Sequence, residues 1–552
     1  MKKIIAITLC VTLLLAGCGV RSEGRKKTLS EEDAAKEMAS LLTKVDVTTK
    51  KDPVLDIYSD EISEADALAD IDTFPITVQG NGSIDVEIAA ATELSADAPD
   101  DWLNDVARKF NSENHKINNK SVSVSVRKIT SGEVVTYILN DRYAPDAFIP
   151  SNEAWGKMLD ASGYDTTRVA DRIAGNTAGI LIKKSVYDDF ITKYKEVTVK
   201  NVLTAANEGD LIFAYTNPYT SSTGLNVLCA MLASFDENDP LSDAATQALL
   251  EYQKKSPPVA YTTAVLRNQA AKGVINAMVM EEQAYINTPE LKNYIYTPVG
   301  IRHDHPVYVF DWTGQEEREA VEEFVKYCQS EQSQTLASRK GFNLHNEYVA
   351  QDTGMDGRDY LAAQKVWKQN KNGGRPIAAV FVADISGSMN GEPLNSLKES
   401  LIAASPYIGQ EHYIGLVSYS DDVTINLPIA QFDATQRAYF AGEVKNLNAG
   451  GSTATYDALL VGMNMLKEAE KDIPDAKLML FLLTDGEQNN GYKYDRVDDV
   501  VGGLGIPVYT IAYNYSNISE LEDLSNINEA AQIKADSSDV SNVLRNLFNV
   551  NL

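Results

Sequence analysis

Cysteine and histidine are scarce in this chain of 552 residues, with four of the first and five of the second. No Cys/His cluster has zinc-type spacing, which excludes a structural zinc module. Cys10 and Cys18 lie near the N-terminus. Cys229 and Cys328 each sit in an apolar, helix-like stretch, where two buried thiols are favoured over a disulfide between them. The histidines (His115, His303, His305, His345, His412) form no Ser-His or Cys-His arrangement, and no G-x-S-x-G, P-loop or H-E-x-x-H segment occurs. Carboxylates are plentiful without forming an acid/base pair, so the sequence reads as a binding protein and not as an enzyme. Long apolar runs are also missing: beyond residue 15 no stretch is long and apolar enough to cross a bilayer. Positive charge is in deficit, with 50 Lys and Arg against 78 Asp and Glu and a formal net charge of −28. That balance argues against a nucleic-acid surface and against electrostatic adsorption to anionic lipid.

What is present begins with Met1-Lys2-Lys3, an apolar stretch from Ile4 to Leu15, and Ala16-Gly17-Cys18. A charged start, a short apolar core and small residues make a bacterial export signal. Leu15-Ala16-Gly17-Cys18 resembles a lipobox, which implies that Cys18 receives a diacylglycerol and becomes the first mature residue. The expectation is a signal peptide at 1–17 and a body tethered by lipid to the extracytoplasmic face of the bacterial cell membrane. Residues 18–83 are rich in charged, Ser and Thr residues and read as a polar tether. It carries one amphipathic stretch, Glu31 to Leu42, and its last part is free to dock on the next domain.

From Ile84 short strands and helices alternate up to about His345. Asp85–Ala90 reads as a strand, Asp100–Phe110 as an amphipathic helix, Ser121–Val126 as an alternating strand and Asp146–Pro150 as another strand. This order resembles a type 2 periplasmic solute-binding protein. The local resemblances are Asp101-Trp102-Leu103 through Phe110-Asn111, and Pro145-Asp146-Ala147-Phe148 leading into Ser151-Asn152. The resemblance implies two α/β lobes flanking a cleft over 84–345, with a crossover at Gly175–Gly179 and a return near Tyr308. Residues 346–375 read as a linker, ending in Asn370-Lys371-Asn372-Gly373-Gly374-Arg375. From Pro376 to Leu552 the pattern is a doubly wound α/β sheet with one hairpin edge. Its pieces are 376–384, 392–404, 413–427, 434–446, 455–469, 477–485, 495–503, 507–513 and 537–549.

The last domain carries the sharpest motif. The apolar run Ala379–Ala383 ends in Asp384-Ile385-Ser386-Gly387-Ser388, Gly450-Gly451-Ser452-Thr453-Ala454-Thr455 precedes a helix-like stretch, and Leu478–Leu483 ends in Thr484-Asp485-Gly486. Asp384, Ser386, Ser388, Thr453 and Asp485 are thus placed to meet at the carboxyl ends of adjacent parallel strands, where open α/β sheets hold ligands. Two carboxylates and three hydroxyls suit a hard divalent cation, Mg²⁺ or Mn²⁺. The set resembles the metal-ion-dependent adhesion site of von Willebrand factor type A (VWA) domains at all five positions. The resemblance implies Ser386, Ser388 and Thr453 as inner ligands and Asp384 and Asp485 as charge-balancing ones. It further implies an open position for a carboxylate from a protein partner. Thr453 is preferred over Ser452 for its T-x-T spacing to Thr455, and Ser452 stays as the alternative.

In the solute-binding-like module, Ser221, Ser222 and Thr223 stand at a helix start, where hydroxyls and free N–H groups hold an anion or simply cap the helix. Thr92, Glu93, Ser151 and Asn152 would face the same cleft and a small polar or anionic solute. Glu281 and Glu282 suit a cationic group or a solvated helix end, and the second reading is preferred. His303-Asp304-His305 invites a metal reading, but no third histidine joins it and Pro306 favours a turn at a lobe crossover. The whole chain resembles a bacterial surface lipoprotein in which a solute-binding-like module is fused to a VWA domain. The function so implied is cation-dependent binding of a protein partner in adhesion or envelope assembly. The alternative is a solute receptor of a membrane transport system with an accessory VWA domain.

Overall fold

In the C-terminal domain, all eight residues of the strand Ile377–Asp384 are buried, because helices cover both faces of its sheet. Alternate side chains separate into two cores: Ile377, Ala379, Phe381 and Ala383 on one face, Ala378, Val380 and Val382 on the other. The computed structural model from which this is read describes residues 29–56 and 68–552, apart from 98, 256, 258, 261–265, 268–269, 271–274, 352, 487, 514–518, 528–531 and 536–539. The expected signal peptide and Cys18 lie outside the described residues. Among the described residues no helix is long and apolar enough to cross a membrane.

The chain first forms the helix Glu31–Leu42 and a short strand, β1 (Val47–Thr49). Lobe 1 of the N-terminal module contains β2 (Ile76–Val78), β3 (Ile84–Ala90), β4 (Lys116–Ile117), β5 (Lys120–Lys128), β6 (Ala147–Ile149) and β7 (Thr166–Ala170). Lobe 2 follows with β8 (Thr177–Lys183), β9 (Phe213–Thr216), β10 (Val259–Ala260), β11 (Ala277–Glu281) and β12 (Tyr294–Arg302), and β13 (Val307–Phe310) returns to lobe 1. The sheet orders are β2-β5-β3-β6-β13-β7 and β10-β9-β11-β8-β12. The C-terminal domain adds β14 (Ile377–Asp384), β15 (Tyr413–Tyr419), β16 (Val423–Gln431), β17 (Lys477–Thr484), β18 (Val508–Tyr513) and β19 (Gln532–Ala535).

The third sheet has the order β1-β16-β15-β14-β17-β18-β19 and corrects the expected polar tether over 18–83 for its described residues 29–56, which dock on the C-terminal domain. β1 pairs in parallel with the outer strand of the hairpin, Val47 opposite Val423. Ahead of it the helix Glu31–Leu42 lays Ala34, Met38 and Leu41 into the core formed by the helices Thr455–Asp472 and Tyr494–Leu504. Those three positions share one helix face. A Cβ on Gly503 would come within 2.6 Å of the Ala34 Cβ, so the two helices touch at a glycine. Arg496 pairs with Glu37 and Lys467 with Glu31, and the Tyr492 hydroxyl donates to the Leu41 carbonyl at 3.0 Å. Further on, Lys50 and the Val54 N–H both bond to the buried Glu443 carboxylate, and Lys445 pairs with Asp56. The N-terminal module is thereby bracketed in sequence by two parts of one domain.

The linker expected at 346–375 is also corrected. Gly357–Asn370 is a helix with a capping box at Asp356, and Tyr360, Ala363 and Trp367 enter the main core of the N-terminal module. The Trp367 indole donates to the Tyr215 hydroxyl at 2.8 Å. The joint proper is the short turn Lys371–Arg375, with Gly373 at φ 66° and Gly374 at φ 73°, a backbone region that glycine adopts without penalty. Across the joint, Arg545 on the last helix (Val540–Asn551) forms a buried ion pair with Glu133 of lobe 1. The Lys371 Nζ donates to the Val550 carbonyl at 2.7 Å.

The two lobes share that main core. Val134, Ile138, Phe148, Trp155 and Met158 of lobe 1 cluster with Ile180, Phe213, Tyr215, Leu225 and Leu228 of lobe 2. At the seam a Cβ on Gly132 would lie 1.9 Å from the Tyr219 carbonyl oxygen, so the backbones of the lobes are in contact. Cys229 and Cys328 are buried free thiols, one in each lobe.

Candidate functional site

At the carboxyl edge of the third sheet, β14 ends in Asp384 and β17 in Thr484. Residues of the same parity stand on the same face, so Asp384 continues the row of Val380 and Val382 into the helix-covered core. Its carboxylate accepts from the Ser386 N–H at 2.8 Å and from the Thr484 hydroxyl at 2.7 Å. The Ser386 and Ser388 hydroxyls lie 3.1 Å apart, and Ser388 donates to Asp485 at 2.7 Å. Four of the five expected residues thus form one hydrogen-bonded cluster. Asp384, Ser386 and Thr453 are buried, Asp485 is half-buried and Ser388 is exposed, which leaves the cluster open on one side.

Thr453 makes no hydrogen bond with those four and is brought to them by its loop. The Gly450 N–H donates to the Ile385 carbonyl at 2.8 Å and the Gly387 N–H to the Gly451 carbonyl at 3.0 Å. A Cβ on Gly387 would stand 3.3 Å from that same carbonyl, a tight contact that glycine avoids. The Thr453 N–H donates to Asn489 Oδ1 at 2.8 Å. Ser452, the alternative, is committed elsewhere: its N–H donates to Asp421 at 3.0 Å. Hydrogen bonds from Ser452 hold the Asp421 carboxyl below its usual range. Thr484, Asn489 and Asp421 escaped the sequence reading. The first stood beside Asp485 in the Thr-Asp-Gly triplet, and the other two had no local signal.

Burial pushes the Asp384 carboxyl above its ordinary range, and the nearby Asp485 charge adds to the shift. Burial likewise raises Asp485. Among the described residues neither carboxylate has a Lys, Arg or His ion-pair partner. Two half-compensated carboxylates with converging hydroxyls form a hard, all-oxygen donor set. Among the described residues no group of three or more His, Cys, Asp or Glu side chains is arranged to hold a metal ion, so a cation held here would rely on Ser386, Ser388 and Thr453 beside the two aspartates. The donor chemistry fits Mg²⁺ or Mn²⁺ and fits zinc poorly.

Six of the expected cleft residues, Glu93, Ser151, Asn152, Ser221, Ser222 and Thr223, are bonded to other groups of the chain. Ser221 caps the helix Ser222–Phe235, its hydroxyl accepting from the Gly224 N–H. Ser222 accepts from the Trp155 indole at 2.8 Å and donates to Ser131 at 3.2 Å, both across the lobe seam. Thr223 donates to Glu281 at 3.2 Å. The Asn152 amide donates to His303 Nε2 at 3.1 Å, and Ser151 is tied through its N–H to Ser131. Glu93 lies 3.2 Å from His305 Nε2. Burial alone would raise the Glu93 carboxyl, but hydrogen bonds from His305 and Ser151 hold it below its usual range. Thr92 opens the short helix Thr92–Ser95 and is half-buried. The solvated helix end read at Glu281 and Glu282 is corrected: both are buried. Glu282 accepts from His345 and Thr177. His303 and His305 are spent on these lobe contacts, in keeping with a crossover turn.

Comparison with known proteins matches residues 92–343 to the family model of bacterial extracellular solute-binding proteins, and residues 379–549 to that of the von Willebrand factor type A domain. Inter-alpha-trypsin inhibitor heavy chain H3 of Bos taurus is 29% identical over 163 residues, covering 27% of this chain and 18% of the relative. The Homo sapiens H3 chain is 32% identical over 162 residues, again 27% of this chain and 18% of the relative. The chain therefore spans less than a fifth of the length of these curated relatives. Among solved structures, iron-bound HitA from Pseudomonas aeruginosa is 13% identical with a TM-score of 0.39, covering 53% of this chain and 99% of that one. A von Willebrand factor type A protein from Catenulispora acidiphila is 19% identical with a TM-score of 0.30, covering 32% and 42%. The chain carries a bacterial solute-binding-protein module and, after it, a von Willebrand factor type A domain.

Proposed function

We propose that this protein is a non-enzymatic, lipid-anchored extracytoplasmic binding protein. Its VWA domain grips a protein partner through one Mg²⁺ or Mn²⁺, and its solute-binding-type module serves as a scaffold. The observation that carries the metal reading is the bonded cluster of Asp384, Ser386, Ser388 and Asp485, open on one side at the sheet edge. A bound divalent cation would supply charge to a carboxylate offered by the partner. The chain's residues would hold that ion, with the serines and Thr453 nearest and the aspartates balancing its charge. Calorimetric titration of residues 29–552 with Mg²⁺ and Mn²⁺ tests the site, and capture of partners from envelope extracts with and without chelator tests the function. Thr453→Ala should weaken metal affinity about tenfold, and Ser452→Ala should leave it within about twofold, because only the first removes a proposed ligand while Ser452 is turned to Asp421.

The scaffold reading is supported by the shared apolar core of the lobes and by the internal partners of Ser151, Asn152, Ser222 and Thr223. The same observations weigh against the receptor of a transport system, whose lobes must open around a solute. Anchoring is supported by Leu15-Ala16-Gly17-Cys18 after a short apolar core. Cys18→Ser should move the protein from the detergent phase to the aqueous phase on phase partition, since acyl chains supply the membrane affinity. Unchanged partition would count against lipidation.

A further inference from the structure

The side chains read from the sequence as solute ligands converge instead on a carboxylate of the chain itself. Glu281, the last residue of β11, is buried. It accepts from Asn176 at 2.5 Å, from His303 Nδ1 at 2.5 Å and from Thr223 at 3.2 Å. Asn176 and His303 belong to the two crossovers between the lobes, and Thr223 stands in the first turn of the helix Ser222–Phe235. On its other side the His303 ring receives the amides of Asn152 in lobe 1 and Asn226 in lobe 2, at 3.1 and 3.2 Å. Both amides donate, so Nε2 is the acceptor and Nδ1 carries the proton toward Glu281. The carboxylate therefore sits at the junction of lobe 1, lobe 2 and both crossovers, held by three donors and, through His303, by both lobes.

We propose that Glu281 is a built-in carboxylate ligand that fills the anion position of the solute-binding module and holds its lobes shut. An isolated carboxylate is costly to bury, and three converging donors are what a buried anion site must provide. No free solute can use Asn176, Thr223 and His303 while Glu281 occupies them. The closure is reinforced where Ser222 bridges to Trp155 and Ser131, and where Glu93 meets His305. The chemical class the site would take, once Glu281 is shortened, is a small carboxylate such as formate or acetate.

This inference rests on the scaffold half of the proposed function, and the two can fail separately. Residues 29–552 are titrated with formate, acetate, sulfate and phosphate against matched chloride, reading thermal midpoint and radius of gyration. Wild type should show no saturable shift and no compaction. Glu281→Ala should unfold several degrees lower and regain at least about half of that loss in roughly 50 mM formate or acetate, through linkage to a refilled site. Sulfate should not restore it. Glu281→Gln fills the space and should show no recovery with formate. Saturable anion binding by wild type would overturn both readings. A silent wild type with an Ala variant that formate cannot restore would overturn the built-in ligand and leave the scaffold standing. Should the Ala variant not fold alone, refolding from urea with and without formate gives the same decision, since recovery confined to formate is what the proposal requires.

Discussion

Asp384→Ala in residues 29–552 should lower Mg²⁺ and Mn²⁺ affinity roughly 100-fold while the domain stays folded. The substitution deletes a charge that balances the cation and the acceptor that orients the Ser386 N–H and the Thr484 hydroxyl. Folding survives because the apolar strands, not the cluster, form the two cores. In wild type the ionised pair is a burden: with both carboxyls raised, the folded chain binds more protons than the unfolded chain between the two pKa values. The contribution of the pair to stability therefore falls as pH rises through that window. A divalent cation bound as proposed would relieve the burden at neutral pH. Millimolar Mg²⁺ should raise the midpoint of wild type at pH 7, raise it less as the carboxyls protonate, and leave Asp384→Ala unmoved. An unaltered titration in Asp384→Ala would remove the site, and the cation-dependent partner with it.

A chain that begins at residue 68 should lose the most stability of any variant considered. Deleting 29–56 uncovers the surface that receives Ala34, Met38 and Leu41, and strips β1 from the hairpin edge. Burying Met38 and Leu41 alone is worth about 1.5–3 kcal/mol each, so these two account for about 3–6 kcal/mol, which at its upper end reaches the whole stability of a marginal small domain. The bare edge of β16 would also invite pairing between molecules. The isolated fragment 376–552 should accordingly be poorly soluble and unfold early, and adding peptide 29–56 in trans should restore its midpoint. Equal midpoints with and without the peptide would show that the docking contributes nothing.

Why the candidate metal cluster is legible in the sequence and the docking is not follows from sequence distance. Asp384, Ser386 and Ser388 stand within five residues at the end of a fully apolar strand, and the Gly-Gly-Ser-Thr and Thr-Asp-Gly segments each close an element of their own. The amphipathic stretch Glu31–Leu42 was readable as a helix, but its partners lie more than 400 residues away, and nothing local says where its narrow apolar face goes. Tyr360, Ala363 and Trp367 did carry a helical spacing, hidden among Lys, Gln and Asn, so a helix built into the module passed for linker. In the cleft the sequence named the right hydroxyls and amides without the groups that satisfy them. Glu281 and Glu282 looked solvated because adjacent carboxylates usually are, and their donors Asn176, His303 and His345 come from distant loops. The polar helix Ser519–Ile527 and the edge strand β19 lacked the apolar run that marked the other strands.

The docking of the N-terminal segment also decides how tension would travel. Residue 29 meets the domain beside Gly503 and Lys467, at the pole away from Asp384, and the helix then runs up the flank to Tyr492, next to the loop that carries Thr453. A pull between residue 29 and the Asp384 edge loads that helix in shear against the sheet. The solute-binding module is fastened to the same domain at Lys371–Arg375 and through the Arg545–Glu133 pair, off the line between residue 29 and Asp384, so such a load bypasses its lobes.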